Sequence, residues 1–243
     1  MKDKAVEEIF SQAYADERNF LFEHEAKNLC SLYGLPVTKF KVCQSEDSAI
    51  ESASKIGYPI VLKIVSPQVL HKSDAGGVIL DVKDEKGVRE GYNKIIKNVK
   101  EKVPNAQITG ILVQEMAPKS TEIIIGSTRD STFGQTIMFG LGGIFVEILK
   151  DVSFRLVPIT KNDAEEMIRE IKAYKILEGA RGMPKADQKT LVDILLKTSK
   201  MLTECNEIKE LDLNPVLVYE NGAKIVDARV ILDQDMARSI NYF

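Results

Sequence analysis

The sequence predicts a mixed α/β protein, and three observations carry that reading. Stretches with apolar residues at helical spacing alternate with short apolar runs through the first half of the chain. Strand candidates crowd together after Pro104. The chain then closes on two strands joined by Asn221-Gly222, the strongest short-range hairpin signal.

Residues 4 to 16 read as a helix, with Val6, Ile9, Phe10 and Ala13 on one face. A second helix is expected from Asn19 to Tyr33, closed by Gly34 and followed by Pro36. Val37 to Val42 reads as a strand, and Ser45 caps a helix ended by Gly57. Pro59 to Val65 is a nearly continuous apolar strand, Gly77 to Val82 another, and Val88 to Val99 a helix. Beyond Pro104 the strand candidates are Ile108–Met116, Thr121–Ser127, Gln135–Phe139, Ile144–Leu149 and Val152–Val157. One helix is opened by Asn162, with Asp163, Glu165 and Glu166 where the helix dipole favours carboxylates. Another runs from Ala186 to Glu204 before the terminal hairpin.

At 243 residues the chain has room for one large domain or two small lobes. Lys plus Arg number 33 and Asp plus Glu 36, a net charge of −3, which argues against nucleic-acid binding. No apolar run approaches the ~18 residues that span a bilayer, and no secretory leader follows Met1. Cys30, Cys43 and Cys205 are widely spaced and lack a CxxC pattern, so a cytoplasmic protein with reduced thiols is expected.

The terminal hairpin holds the first candidate site. With Asn221 and Gly222 as the central turn residues, Asp227 faces Val216 and Arg229 faces Asn214. Asp212, Asn214 and Asp227 then share one face, Asn214 and Asp227 as diagonal neighbours. Such hard oxygen donors suit Mg²⁺ when phosphate oxygens and water complete its shell. A half-exposed sheet with solvated charges is the other reading, and Pro215 is able to spoil the register.

Lys63 is the lone charge in an apolar strand and needs an anion such as phosphate, or a route to water. Glu122 likewise heads a buried-looking strand. The clusters Ala75-Gly76-Gly77 and Gly140-Leu141-Gly142-Gly143 let backbone N–H groups approach an anion, or simply make tight turns. His24 lies among charged neighbours and reads as a surface residue, whereas His71 sits in the loop between Lys63 and Ala75.

Taken in order, these segments resemble a nucleotide-binding family. They are Tyr58-Pro-Ile-Val-Leu-Lys63, Ala75-Gly-Gly-Val, Val113-Gln-Glu-Met116, Glu122, Gly140-Leu-Gly-Gly143, and Glu210-Leu-Asp-Leu-Asn-Pro215 with Asp227. The chain looks like an ATP-grasp protein, and within that superfamily it resembles the β subunits of ADP-forming acetyl-CoA synthetases, kin to succinyl-CoA synthetase β subunits. The resemblance covers residues 20 to 235, and the phrase from Phe139 to Arg155 is highly family-specific.

The resemblance implies an α/β (α+β) ATP-grasp fold of two lobes with the nucleotide between them. The expected division is an N-terminal helix (1–19) on the second lobe, a smaller lobe (20–113) and a larger one (114–243). It implies ATP or ADP as substrate, with Lys63 on the phosphates, Gly76 and Gly77 beside them, Val113, Gln114, Glu115 and Met116 lining the adenine, and Glu122 on the ribose. It also implies Mg²⁺ on Asn214 and Asp227, with Asp212 beside the transferring phosphoryl group; the hairpin arithmetic reaches the same three residues independently. An α subunit is implied as partner, carrying CoA-binding and phosphohistidine functions, in an α2β2 assembly.

The reaction implied is acetyl-CoA, ADP and phosphate giving acetate, CoA and ATP. One departure stands out: Ser66 to Asp74 contains His71 and no glycine, where succinyl-CoA relatives are glycine-rich. His71 is accordingly expected to be a second phosphorylation site. Those relatives also carry a further CoA-ligase domain, for which this length leaves no room. A non-catalytic nucleotide-sensing module is the alternative, and a self-contained ATP-dependent ligase a third reading.

Overall fold

The computed structural model describes residues 3–69, 71–143, 146, 148–180 and 184–235. The chain divides into two compact units, one of residues 38–118 and one of residues up to 37 and from 119 onward.

In the smaller unit the sheet order is β2 (Phe40–Cys43), β5 (Gly110–Glu115), β3 (Ile60–Val65), β4 (Val78–Val82), antiparallel throughout. Two helices, α3 (Glu46–Ile56) and α4 (Glu85–Lys102), supply Ala49, Ala53, Val88, Ile95 and Val99 to a core shared with Ile60, Leu62, Ile64, Ile111 and Val113. Ser45 accepts a hydrogen bond from the Ser48 N–H and so caps α3, and Gly57 closes it at φ 96°. Every residue of β3 is buried, as its apolar run demands.

The larger unit is built on a seven-stranded antiparallel sheet ordered β1 (Phe20–Leu21), β11 (Ala228–Leu232), β9 (Ile208–Val218), β6 (Thr121–Asp130), β7 (Gly134–Leu141), β8 (Val152–Leu156), with β10 (Ala223–Ile225) paired to β9. Side chains alternate across it. Ile123, Ile125, Ile137, Phe139, Leu211, Leu213 and Val230 enter one core with α1 (Lys4–Ala15), α2 (Glu23–Leu32), α5 (Lys161–Glu170) and α7 (Gln188–Glu204). A short α6 (Tyr174–Leu177) adds Leu177. The intervening set, including Met138, Gly126, Asp212 and Arg229, lies on the opposite face.

Five expectations need correcting. The second helix starts at Glu23, not Asn19, because Phe20 and Leu21 pair with Ile231 and Val230 of β11, and the Glu25 carboxylate accepts from the Phe22 N–H at 2.7 Å. That pairing places residues 20–37 with the larger unit, while β5 between β2 and β3 keeps residues 114–118 in the smaller one. The expected strand Val37–Val42 begins only at Phe40, since Val37 bridges to Ile225. The helix assigned to an Asn162 start is capped by Thr160, whose hydroxyl accepts from the Asp163 N–H. The expected strand 144–149 falls mostly outside the described residues; Ile148 and Leu149 form a turn, and β7 pairs directly with β8.

All three cysteines are buried and none of them forms a disulfide. Among the described residues no helix is long and apolar enough to cross a membrane.

Candidate functional site

The end of the chain places four polar side chains on one sheet face. Its register differs by two residues from the expected one: Ile225 faces Val216, Ala228 faces Leu213, and Arg229 faces Asp212. The Asn214 N–H donates to the Asp227 carbonyl at 3.3 Å, so these two residues are opposite rather than diagonal. A shift of two preserves faces, and Asp212, Asn214 and Asp227 therefore remain together. Arg229, expected opposite Asn214, joins them opposite Asp212.

The shift is set at the turn. A type I′ turn needs positive φ at both central residues, and of this pair only Gly222 has it, at 86°. Asp187 takes over the turn instead. Its carboxylate accepts from the Gly222 N–H at 2.9 Å, and its own N–H donates to the Tyr219 carbonyl at 2.9 Å. That clamp comes from the start of α7, far away in sequence.

Pro215 sits inside β9 after a cis peptide bond. Opposite it, β6 advances two residues from Ile123 to Ile125 while β9 runs three, from Val216 to Leu213. This bulge turns Asn214 and Leu217 to the same face although their numbers differ in parity. It also puts Glu122, which pairs with Leu217, on the face that carries Asp212.

Asp212 is half-buried, and its Oδ1 is shielded from water without a hydrogen-bond partner. Burial raises its pKa above the ordinary carboxylate range; the Asp227 charge adds to that and Arg229 opposes it. An orphaned buried oxygen beside a second carboxylate and an exposed amide is a donor set that could hold a hard divalent cation. Among the described residues no group of three or more His, Cys, Asp or Glu is placed to hold a metal. The set therefore provides two carboxylates and an amide.

Other candidates sit differently from expectation. Glu122 is exposed, not buried, and its carbonyl accepts from the Gly142 N–H at 2.8 Å, so that donor of the second glycine cluster is taken. In the smaller unit Lys63 is buried at 7 % exposure. Its neighbours Leu62 and Ile64 enter the core, and it shares the other sheet face with Leu112, its partner on β5, and Gln114.

The loop after Lys63 folds on itself. The Ala75 N–H donates to the His71 carbonyl at 3.2 Å, Gly76 to Ser73 at 2.9 Å, and Gly77 to Lys72 at 2.7 Å. Gly76 and Gly77 therefore do not offer free N–H groups to an anion, contrary to expectation. Gly77 is required for packing: a Cβ there meets Ile64 Cγ2 at 2.4 Å. His71 projects from this loop as an exposed side chain.

The adenine segment is likewise committed. Val113 faces the core from an inner strand, and the N–H groups of Glu115 and Met116 donate to Lys39 and Pro59 carbonyls at 2.9 and 3.2 Å. Carbonyl oxygens, with two lone pairs each, and the side chains of Gln114, Glu115 and Met116 are what the segment can offer a base.

The antiparallel sheet and the helices behind it, with a smaller sheet unit carrying a buried lysine, define a class. Residues 12–232 match the ATP-grasp domain family, and the chain belongs to it. Within it, the chain is 52% identical over 225 residues to the acetate–CoA ligase [ADP-forming] I subunit beta of Pyrococcus furiosus, covering 93% of this chain and 97% of that protein. It matches the dinucleotide-forming acetyl-coenzyme A synthetase 1 of Ca. Korarchaeum cryptofilum bound to coenzyme A and Ca-AMPCP with a TM-score of 0.91 and 52% identity, over 94% of this chain and all of that one. A structure of the same synthetase with Mg-AMPPCP, its phosphohistidine segment pointing towards the nucleotide binding site, matches at TM-score 0.84 and 47% identity, over 94% and 100% of the two chains.

Proposed function

We propose that this chain is the nucleotide-binding β subunit of an ADP-forming acetyl-CoA synthetase. With an α subunit it catalyses acetyl-CoA + ADP + phosphate ⇌ acetate + ATP + CoA. The observation that carries the chemistry is the cluster on β9 and the strand segment opposite it: Asp212, Asn214 and Asp227 on one face, with a buried carboxylate oxygen lacking a partner. A nucleotide-sensing module needs no such oxygen, whereas a cation-assisted transfer site does. Full-length similarity to a β subunit supports the same reading.

Asn214 and Asp227 hold Mg²⁺ in this proposal, and Asp212 lies beside the phosphoryl group in flight. When bound, the cation neutralises charge on the phosphate oxygens. Lys63 binds the nucleotide phosphates as a point charge whose burial strengthens it. Gln114, Glu115 and Met116 line the base, and the exposed Glu122 accepts from ribose hydroxyls. Gly76 and Gly77 shape the loop behind Lys63 and do not donate to phosphate. His71, an exposed imidazole on the loop that follows Lys63, carries the phosphoryl group on its way to ADP. Catalysis by such groups is positioning and electrostatics.

The partner supplies the CoA site and the donor phosphohistidine, in an α2β2 assembly located in the cytoplasm, where buried thiols stay reduced. The test is reconstitution: the purified chain, ADP, phosphate and acetyl-CoA make ATP only after an α subunit is added. ATP formation by the isolated chain, or none by the mixture, overturns the reading.

A further inference from the structure

Six arginines lie among the described residues, and five of them have a carboxylate oxygen within 4.0 Å: Arg18, Arg89, Arg129, Arg155 and Arg169. Arg229 is the sixth. It forms no such pair with any described residue, although it directly faces Asp212 across β9 and β11 and is exposed on the same face as Asn214 and Asp227.

Order along β9 gives that position meaning. Leu217, opposite Glu122, comes first; Asn214, opposite Asp227, follows; Asp212, opposite Arg229, is last. Five residues of strand cover about 16 Å before the bulge shortens them. A nucleotide whose ribose is at Glu122 and whose phosphates reach the Asn214–Asp227 pair points its terminal phosphate toward Asp212 and Arg229. In that arrangement position 229 lies past the end of the bound ADP, on the side from which a phosphoryl group would come.

We propose that Arg229 contacts the phosphoryl group during its transfer to ADP. The inference rests on the function proposed above. In the transfer the P–N bond of a phosphohistidine breaks and its electron pair stays on the imidazole nitrogen, which takes up one proton. A terminal oxygen of ADP forms the new P–O bond. The charge of the loose transition state spreads over three equatorial oxygens, and a planar fork of donors matches two of them at once. Lys63, as a point charge, cannot do that.

The test uses the chain reconstituted with its α subunit. Arg229→Gln should lower kcat for ATP formation at least about 100-fold. Mg·ADP affinity of the isolated variant, measured by calorimetric titration, should stay within about threefold of wild type, and its Tm should be unchanged. Arg229→Lys should recover only part of the loss, and added guanidinium ion should partly rescue Arg229→Ala. A kcat within about threefold of wild type overturns the proposal. So does a kcat loss matched by lost Mg·ADP affinity, which makes Arg229 a nucleotide-binding group. If the wild-type mixture makes no ATP, the functional reading falls and takes this inference with it.

Discussion

Asp227 and Asn214 face one another across the end of the β9 pairing, close to the buried oxygen of Asp212. Asp227→Ala and Asn214→Ala should each weaken Mg·ADP binding about 10-fold or more by calorimetry, since each removes one of few protein ligands from a cation that keeps much of its water. Neither side chain is in the core, so the urea midpoint should barely move. Unchanged affinity in both variants places the cation elsewhere. His71 makes a separate prediction. Its exposed imidazole can attack phosphorus, so wild-type chain incubated with γ-labelled ATP should acquire an acid-labile, base-stable label that His71→Ala lacks. His71→Ala should also block ATP formation while sparing acyl-phosphate formation on the partner. Survival of ATP formation near the wild-type rate reduces His71 to a loop residue.

At the scale of elements, α7 and the terminal hairpin are joined through one side chain. Asp187 caps α7 by accepting from the Thr190 N–H and hydroxyl, and it also accepts from the Gly222 N–H. Asp187→Ala removes a helix cap and a turn contact together, and a loss of about 1–3 kcal/mol is expected in urea unfolding. Those bonds, that from Gly222 foremost, hold the Asp187 carboxyl below its usual range. Its folded pKa is thus lower than its unfolded one. The ionic contribution is complete above pH of about 4 and fades as pH falls through the folded value. The stability gap between wild type and Asp187→Ala should narrow in that acid window, and a gap independent of pH there contradicts the clamp. The Asn221-Gly222 signal located the hairpin correctly and its register wrongly, because a turn's two residues do not encode the distant carboxylate that captures one of their donors.

For the whole molecule, the prediction is a division of labour: the chain binds Mg·ADP alone but makes ATP only with an α subunit, and sedimentation of the mixture should give an α2β2 mass. A mixture that stays as separate species overturns the assembly. The sequence alone determined the α/β class, the buried strand around Lys63, the caps at Ser45 and Gly57, and the grouping of Asp212, Asn214 and Asp227. The first three follow from local periodicity and capping, and the grouping from alternation along two strands joined by a turn, which a register shift of two leaves unchanged. The order of segments also disclosed the ATP-grasp family, to which the chain belongs. Tertiary structure decided what depends on distant partners. Pairing with β11 drew Phe20 and Leu21 out of a helix and placed residues 20–37 in the larger unit. Loop carbonyls took the donors of Gly76 and Gly77. The register of β11 put Arg229 opposite Asp212. In each case a backbone hydrogen-bonding group had to be satisfied, and which partner satisfies it is settled only when chain segments far apart in sequence pack together.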